Sequence, residues 1–391
     1  MLTILLLFPS VWCEGYWSPA SEEGLDGRLL QIHVVYSHGH MAPQAFYPED
    51  PHASSAIWSN GPLELTVLGK KQGFRLGQAL RSRYGTLLPK ARAWKAVKAI
   101  SSDTTRTLMT SAALLAGLIP PSADDIWSNI AWPPSAVHSS PAEYDRILAP
   151  RIQCSLYEHV LKRTPSRDDD ETRMLYRLLT KYTGELIASP MDLLYLYTCL
   201  EIEKQAGLRI PKWTRRIYGT MKRHVVSSLR HSTESLELKR LRSGPLISVL
   251  TGYKNDSYNI HLYCTHDTVV SALMDSLGFE LSAPPGFTSA FIVEYRELAG
   301  EVFTQIWYRQ GAESELSRLQ LPGCDVRCPL NELRRVVQPL IPRDWTEECS
   351  VRKQERDQVH ESIALHRKQT QNKENENYFD ARLGDWIVGL A

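Results

Sequence analysis

One local pattern occurs three times in the chain and constrains its fold more than any other feature. The apolar residues 32–35 precede the turn at 36–43, the apolar residues 96–100 precede the polar residues 101–104, and the apolar residues 260–263 precede the turn at 264–268. A helical pattern follows the second and third cases, while Gly39 and Pro43 mark a tight loop in the first. Each stretch predicts a strand that ends in a turn. Side chains just past such strands lie at the carboxyl edge, where open α/β sheets bind ligands.

The polar residues at these turns form a candidate catalytic constellation. His38 follows the first strand, Arg106 lies at the start of the second helix, and His266 and Asp267 follow the third strand. Phosphoryl transfer requires a nucleophile, a cation and an acid of these kinds. Each residue alone has a simpler reading, since His38 could be an ordinary loop histidine and Arg106 could pair with Asp103. An arginine at a helix N-terminus is unfavourable beside the helix dipole, however, and a bound phosphate would compensate both charges.

Helix and hairpin patterns connect these turns. From Thr66 a helix is predicted with an apolar stripe formed by Gly73, Leu76, Gly77, Leu80 and Tyr84. Its basic residues lie mainly off that stripe and are interpreted as a solvated face: Lys70, Lys71, Arg75, Arg81 and Arg83. A second helix runs from Arg106 toward two prolines at 120–121, which must end it. Residues 287–297 and 302–309 predict a hairpin.

At these residues the chain resembles the histidine acid phosphatases of the lysosomal and prostatic type. The resemblance covers residues 29–349 and includes the stretches 321–324, 328–330 and 341–345. It implies an α/β histidine phosphatase (phosphoglycerate mutase-like) fold, with a mainly parallel sheet flanked by helices, in a domain of residues 28–349. Between about 134 and 244 strand patterns fade and helical patterns with many charges take over, which predicts an inserted helical cap.

The resemblance implies hydrolysis of phosphate monoesters at acidic pH through a phosphohistidine, without a cofactor. His38 matches the nucleophile, Asp267 the proton donor, and Arg106 and His266 two phosphate ligands. The family motif reads Arg-His-Gly-x-Arg-x-Pro, and here Ser37 and Met41 occupy both arginine positions. His40 could supply a cation at acidic pH. Two hypotheses follow: a weakly active acid phosphatase, or a catalytically inactive secreted pseudophosphatase with a binding or structural role.

The cysteine pattern suits an oxidising compartment. The chain has seven cysteines, and six remain if Cys13 leaves with a signal peptide. The resemblance implies two disulfides, Cys154 with Cys349 and Cys324 with Cys328, and leaves Cys199 and Cys264 unpaired. A CxxxC pair can also bind metal, but no second ligand pair with suitable spacing is present, so we expect no metal site.

The remaining features concern targeting and partners. Residues 1–15 have the apolar core of a short secretory signal peptide, and Asn255 begins an Asn-x-Ser glycosylation sequon. The tail from 350 to 391 is charged and contains no apolar span of 20 residues, so we expect no transmembrane anchor. With 45 basic and 44 acidic residues the chain has no nucleic-acid footprint. These observations predict a secreted or lysosomal luminal protein, and a homodimer is compatible with them.

Overall fold

The computed structural model describes residues 17, 26–54, 56–121, 132–165, 169–253 and 257–350. Three predicted features lie outside these residues: the signal peptide 1–15, the sequon at Asn255, and the charged tail after Ser350. Among the helices of the described ranges, none is both long enough and apolar enough to cross a bilayer.

Eight strands form one mixed sheet in the described residues. The strands are β1 Arg28–Ser37, β2 Val97–Ser102, β3 His138–Ser140, β4 Ile260–Thr265, β5 Ala290–Leu298, β6 Glu301–Arg309, β7 Leu316–Leu319 and β8 Cys328–Pro329. Their order is β3-β2-β4-β1-β5-β6-β7, and β8 pairs with β6. The four strands from β3 to β1 are parallel, whereas β5 to β8 add antiparallel partners. The predicted α/β class is confirmed.

Ten α-helices accompany the sheet in the described part of the chain. They are α1 Val67–Tyr84, α2 Thr105–Leu118, α3 Ser155–Arg163, α4 Asp170–Thr183, α5 Pro190–Gln205, α6 Thr214–His231, α7 Leu236–Thr251, α8 Asp267–Ser276, α9 Leu330–Val337 and α10 Trp345–Glu348. The predicted helices after Thr66 and Thr105 are present. So is the predicted hairpin, as β5 and β6.

The sheet is buried on both faces, which explains why β1 reads as a nearly continuous apolar run. Val34 and Tyr36 pack into a core with α1 and α2, while Val35 faces a second core that includes α7, α8 and α9. β1 aligns with β4, and β4 with β2, so the three strands end at one edge of the sheet. The fold therefore places the residues after β1, β2 and β4 side by side.

Helices α1 and α2 pack closely because glycines line their contact. A Cβ added to Gly77 would lie 2.0 Å from the carbonyl oxygen of Leu114, and one added to Gly117 would lie 2.2 Å from that of Phe74. Both distances are far below van der Waals contact, so larger residues would force the helices apart. The predicted stripe on α1 is buried as expected.

One prediction for α1 is wrong. Arg83 is buried, not solvated, and its Nη2 lies 2.9 Å from Oε1 of the fully buried Glu294 on β5. Its guanidinium carbon also lies 4.3 Å from the ring centroid of Trp307. Position along α1 did not reveal this role, because the carboxylate that Arg83 needs comes from a strand more than 200 residues away.

Helices α4, α5 and α6 enclose a core of their own within the region predicted to be a cap. Leu179, Leu196, Leu200, Met221 and Val225 are among its buried members. The predicted boundary near residue 244 falls inside α7, whose second half joins the core of the sheet. The domain limits themselves stay predictions.

Both implied disulfides are present. Cys154 bonds to Cys349 across 195 residues, and Cys324 bonds to Cys328. The first ties the start of α3 to the end of α10, next to α7. Cys199 and Cys264 are buried and free, as predicted.

Candidate functional site

His38 lies directly after β1 and is almost sealed from solvent. Its backbone N–H donates to the carbonyl of Thr265, and its Nδ1 lies 2.9 Å from the carbonyl oxygen of Gly39. A carbonyl only accepts, so Nδ1 carries the proton and Nε2 is left bare. Burial, followed by the positive charge of Arg106, lowers the pKa of His38 to about 3. The imidazole is therefore neutral at physiological and lysosomal pH.

Gly39 holds the loop of His38 against two helices. A Cβ at Gly39 would meet the carbonyl oxygen of Gly69 at 2.4 Å, so the loop can lie on the start of α1 only without a side chain there. The amide of Gly39 donates to Oγ1 of Thr110 on α2 at 3.0 Å. These contacts fix the backbone from which the His38 ring projects.

Arg106 and His266 lie beside His38. Nη2 of Arg106 donates to Nδ1 of His266 at 3.3 Å, and the His38 and His266 ring centroids are 5.4 Å apart. Because Nδ1 accepts, Nε2 of His266 carries the proton and donates to Oγ of Ser102 at 3.1 Å. Burial lowers the pKa of His266 to about 2, assisted by His38, Arg106 and Arg242. The permanent cation among the three is Arg106.

The guanidinium of Arg106 has unused hydrogen-bonding capacity. Its Nε is buried and has no partner, and Arg106 forms no ion pair within 4.0 Å in the described residues. Burial lowers its pKa, which means that the charge is held there at a cost. An anion placed between Arg106 and His38 would relieve that cost.

Asp267 is the first residue of α8 and lies one residue beyond His266. Burial raises the pKa of Asp267, although the amide of Thr268 and the charge of Arg106 oppose the shift. A carboxyl group with a raised pKa keeps its proton to a higher pH than a free aspartate does. This state is the one that a proton donor needs.

Ser37, at the first substituted arginine position, forms hydrogen bonds to a loop. Its Oγ donates to the carbonyl of Gly286 at 2.8 Å and accepts from the amide of Ser289 at 3.0 Å. The residue is 1% exposed, so its hydroxyl joins β1 to the segment that leads into β5. Nothing in this arrangement directs the hydroxyl to a phosphate.

Met41, at the second substituted position, belongs to an apolar cluster. Its buried neighbours in that cluster are Ala42, Trp58 and Ile202, and Phe287 packs against the same group. The ring of Phe287 also lies 5.9 Å from that of His38. An apolar wall thus borders His38 on this side.

His40 is tied to the protein through both ring nitrogens. Nδ1 lies 2.8 Å from Oγ1 of Thr66, and Nε2 donates to the carbonyl of Ile202 at 2.8 Å. Burial lowers the pKa of His40. This arrangement disfavours the predicted cationic role and makes His40 a link between the site loop and α5.

The sequence patterns did not identify three residues of the site. Ser102 ends β2 and orients His266, and its place in a predicted strand-to-helix turn was an available signal. Phe287 borders His38, and Arg242 on α7 is a buried arginine whose charge contributes to lowering the pKa of His266. Phe287 and Arg242 could not be identified from the sequence, because each belongs to an element that the sequence patterns do not connect to the site.

Known proteins share sequence and fold with this chain. Residues 40–316 match the histidine phosphatase superfamily (branch 2). The chain is 30% identical to the venom acid phosphatase of Apis mellifera over 84% of its own length and 89% of the relative's. It is 31% identical to the lysosomal acid phosphatase of Pongo abelii, covering 83% and 80% of the two chains. For the human prostatic acid phosphatase the identity is 30%, with 82% and 88% covered.

Solved structures show the same fold at lower identity. A Hafnia alvei phytase in complex with myo-inositol hexakis sulphate has a TM-score of 0.65 at 16% identity, covering 84% of this chain and all of that one. A Citrobacter braakii phytase has a TM-score of 0.62 at 16% identity, with 83% and 100% covered. Together with the matched family and the acid phosphatase relatives, these observations lead to one conclusion. The chain belongs to the histidine phosphatase superfamily, branch 2.

Proposed function

We propose that this protein hydrolyses phosphate monoesters slowly at acidic pH, through a phosphohistidine on His38. The observation that carries the proposal is the state of that histidine, which is neutral, has a bare Nε2, and lies beside an arginine with an unused donor. A neutral imidazole is nucleophilic, and an unpaired buried cation favours an anionic substrate.

The proposed reaction has two steps. Nε2 of His38 attacks phosphorus while the bond to the alcohol oxygen breaks, and Asp267 gives its proton to the leaving alkoxide. Arg106 holds non-bridging oxygens of the phosphoryl group through its unpartnered Nε. The Nε2 of His266 already donates to Ser102 and its Nδ1 accepts from Arg106, so His266 positions the guanidinium and does not bind phosphate itself. The Asp267 carboxylate then accepts a proton from water, which attacks phosphorus and breaks the P–N bond to release inorganic phosphate.

The substituted positions limit the rate. Removing one preorganised donor to a transition state typically costs about 10²- to 10³-fold, so losing two implies roughly 10⁴- to 10⁶-fold. From a typical turnover number of about 10 s⁻¹, one turnover would take minutes to about a day. Neither Ser37 nor His40 compensates, because their polar atoms already have protein partners.

The second candidate is an inactive secreted pseudophosphatase with a binding or structural role. The packing of Ser37 and Met41 favours it, since both side chains now stabilise the surrounding structure. A protein of this kind would bind phosphate through Arg106 without turning it over.

Phosphate release from p-nitrophenyl phosphate between about pH 4 and pH 7 separates the two candidates. For the slow enzyme, the wild type should release phosphate measurably faster than His38→Ala. Inorganic phosphate should also raise the melting temperature of the wild type but not of Arg106→Ala, and the exposed Arg75→Ala serves as the matched control. Binding without a rate above His38→Ala would establish the pseudophosphatase instead.

We also propose a secreted or lysosomal luminal location. The two disulfides and the named lysosomal and venom relatives support it. The mature protein should begin near residue 16 and lose mass at Asn255 on treatment with an N-glycosidase. Size-exclusion chromatography of that material would test for a homodimer.

A further inference from the structure

A second cluster of chemically active side chains lies away from His38, between the loop after β1 and helix α5. Sγ of Cys199 lies 3.6 Å from Oδ2 of Asp50 and 3.7 Å from Oε1 of Glu203. One ligand atom from each of the three residues lies within 4.8 Å of the others. Cys199 and Glu203 are four residues apart on α5, so they project from the same face of that helix.

The cluster is buried and contains polar atoms that have no hydrogen-bond partner. Glu203 is 0% exposed and its Oε2 has no hydrogen-bond partner; Tyr47 is 4% exposed and its hydroxyl has none either. Tyr47 packs in the same buried cluster as Cys199, and its backbone carbonyl accepts a hydrogen bond from the amide of Asp50. The fourth side chain of the group is therefore an unpartnered polar group next to the other three.

No cation of the described chain balances these acids. Neither Asp50 nor Glu203 forms an ion pair within 4.0 Å with a lysine, arginine or histidine in the described ranges. Acids that are crowded together and desolvated in this way are stabilised either by keeping their protons or by binding a metal ion.

The distances suit a particular ion. Zinc binds thiolate sulfur at about 2.3 Å and carboxylate oxygen at about 2.0–2.2 Å, which puts sulfur and oxygen about 3.5 Å apart in a tetrahedral site. The two sulfur–oxygen distances here are 3.6 and 3.7 Å, and the Cys199 thiol is the hydrogen-bond donor to both carboxyl groups. A thiolate ligand disfavours magnesium and calcium, which prefer sites made of oxygen alone.

We propose that Asp50, Cys199 and Glu203 bind a zinc ion, with the hydroxyl of Tyr47 or a water at the fourth position. Binding would displace the protons of the thiol and of Glu203, so it would be tighter at neutral than at acidic pH. The ion would join the loop after β1 to α5. Glu203 follows Ile202, whose carbonyl accepts from His40, so the same contact would also fix the loop that carries His38.

Metal analysis of the purified full-length protein tests the proposal without an activity assay. After incubation with zinc at neutral pH and removal of free ion, the wild type should retain about one zinc per chain. Cys199→Ser and Glu203→Gln should retain at least tenfold less. Cys264→Ser, the other buried free cysteine, is the matched control and should retain the wild-type amount. Zinc at a hundredfold excess over its dissociation constant should raise the melting temperature of the wild type by about 4 °C.

Cobalt provides a readout that does not depend on whether the variants fold. Co²⁺ added to the wild type should produce a thiolate-to-cobalt charge-transfer band, and zinc should displace it. Absence of that band, or zinc retained equally by the wild type and Cys199→Ser, would overturn the proposal. Activity plays no part in these measurements, so the site can fail while the proposed phosphatase function stands, and the reverse also holds.

Discussion

The two sides of the candidate site differ in what holds them in place. On one side His38, Arg106, His266 and Asp267 follow the ends of β1, β2 and β4, and the sheet brings them together. On the other side Ser37 and Met41 are packed into a loop contact and an apolar cluster. The position of His38 thus depends on the backbone, whereas the binding of an anion depends on the identity of individual side chains. Two substitutions can therefore remove anion-binding groups and leave the fold intact.

The largest expected effect comes from restoring both cations. Ser37→Arg combined with Met41→Arg should raise kcat/KM for a phosphomonoester by up to about 10⁴- to 10⁶-fold, because each guanidinium can bind phosphoryl oxygens in a bidentate manner. Each single substitution should give less, since both groups act on the same phosphoryl group. Steady-state kinetics of the three variants measures this. The melting temperature should fall at the same time, because both substitutions disturb buried contacts.

Adding His38→Ala to that double variant is the control, and it should abolish the gain. A wild type that already turns over several times per second, and does not benefit from the arginines, would contradict the prediction. Another cation would then hold the phosphate, and Arg242 would be the first residue to test, because its charge reaches His266 and its Nη1 has no partner.

The next largest effect concerns Asp267, which lies on the side of the site that the sheet positions. Asp267→Asn should slow hydrolysis of an alkyl phosphate by about 10²- to 10⁴-fold. Hydrolysis of p-nitrophenyl phosphate should slow much less, because its leaving group departs without a proton. Since the pKa of Asp267 is raised, the wild-type rate should fall as rising pH removes this proton, and the variant should lose that decline. Equal losses for both esters would show that Asp267 acts in another way.

The third effect is a pH dependence of stability. The pKa of His38 is about 3 in the folded protein and about 6.5 when unfolded, so the unfolded chain takes up the proton first as pH falls. The contribution of neutral His38 to the free energy of unfolding is therefore fully present above about pH 6.5. It decreases toward pH 3 by up to about 1.4 kcal/mol per pH unit. Urea unfolding between about pH 6.5 and 4.5 should show a shallower slope for His38→Ala than for the wild type.

His138, an exposed histidine on β3, supplies the control for that experiment. His138→Ala should keep the wild-type slope. Inorganic phosphate should reduce the loss of stability at acidic pH in the wild type, because a bound anion favours a protonated imidazole beside it. An unchanged slope in His38→Ala would mean that this buried histidine does not control the acid sensitivity.

The sequence predicted the side of the site that depends on backbone patterns. Apolar stretches that run into polar turns placed His38, Arg106 and Asp267 at one edge, because strand ends can be read from local periodicity. Arg83 was misplaced because its partner Glu294 lies on a distant strand. The Asp50, Cys199 and Glu203 cluster was invisible for the same reason, since a loop and a helix about 150 residues apart form it. Family resemblance named Ser37 and Met41 as substituted, but only packing shows what they do instead.

The smallest effect tests whether Ser37 has become structural. Ser37→Ala removes the hydrogen bonds that the hydroxyl makes with the Gly286 carbonyl and the Ser289 amide, although that amide and carbonyl keep the hydrogen bond between them. The free energy of unfolding should fall by about 0.5–1.5 kcal/mol. Ser282→Ala, an exposed serine in the same segment, should change it by less than about 0.5 kcal/mol. Urea denaturation at neutral pH measures both. Phosphatase activity should fall far less than in Asp267→Asn, because the hydroxyl is directed to the loop. A stable Ser37→Ala with a large loss of rate would return this serine to the phosphate site and remove the distinction between the two sides.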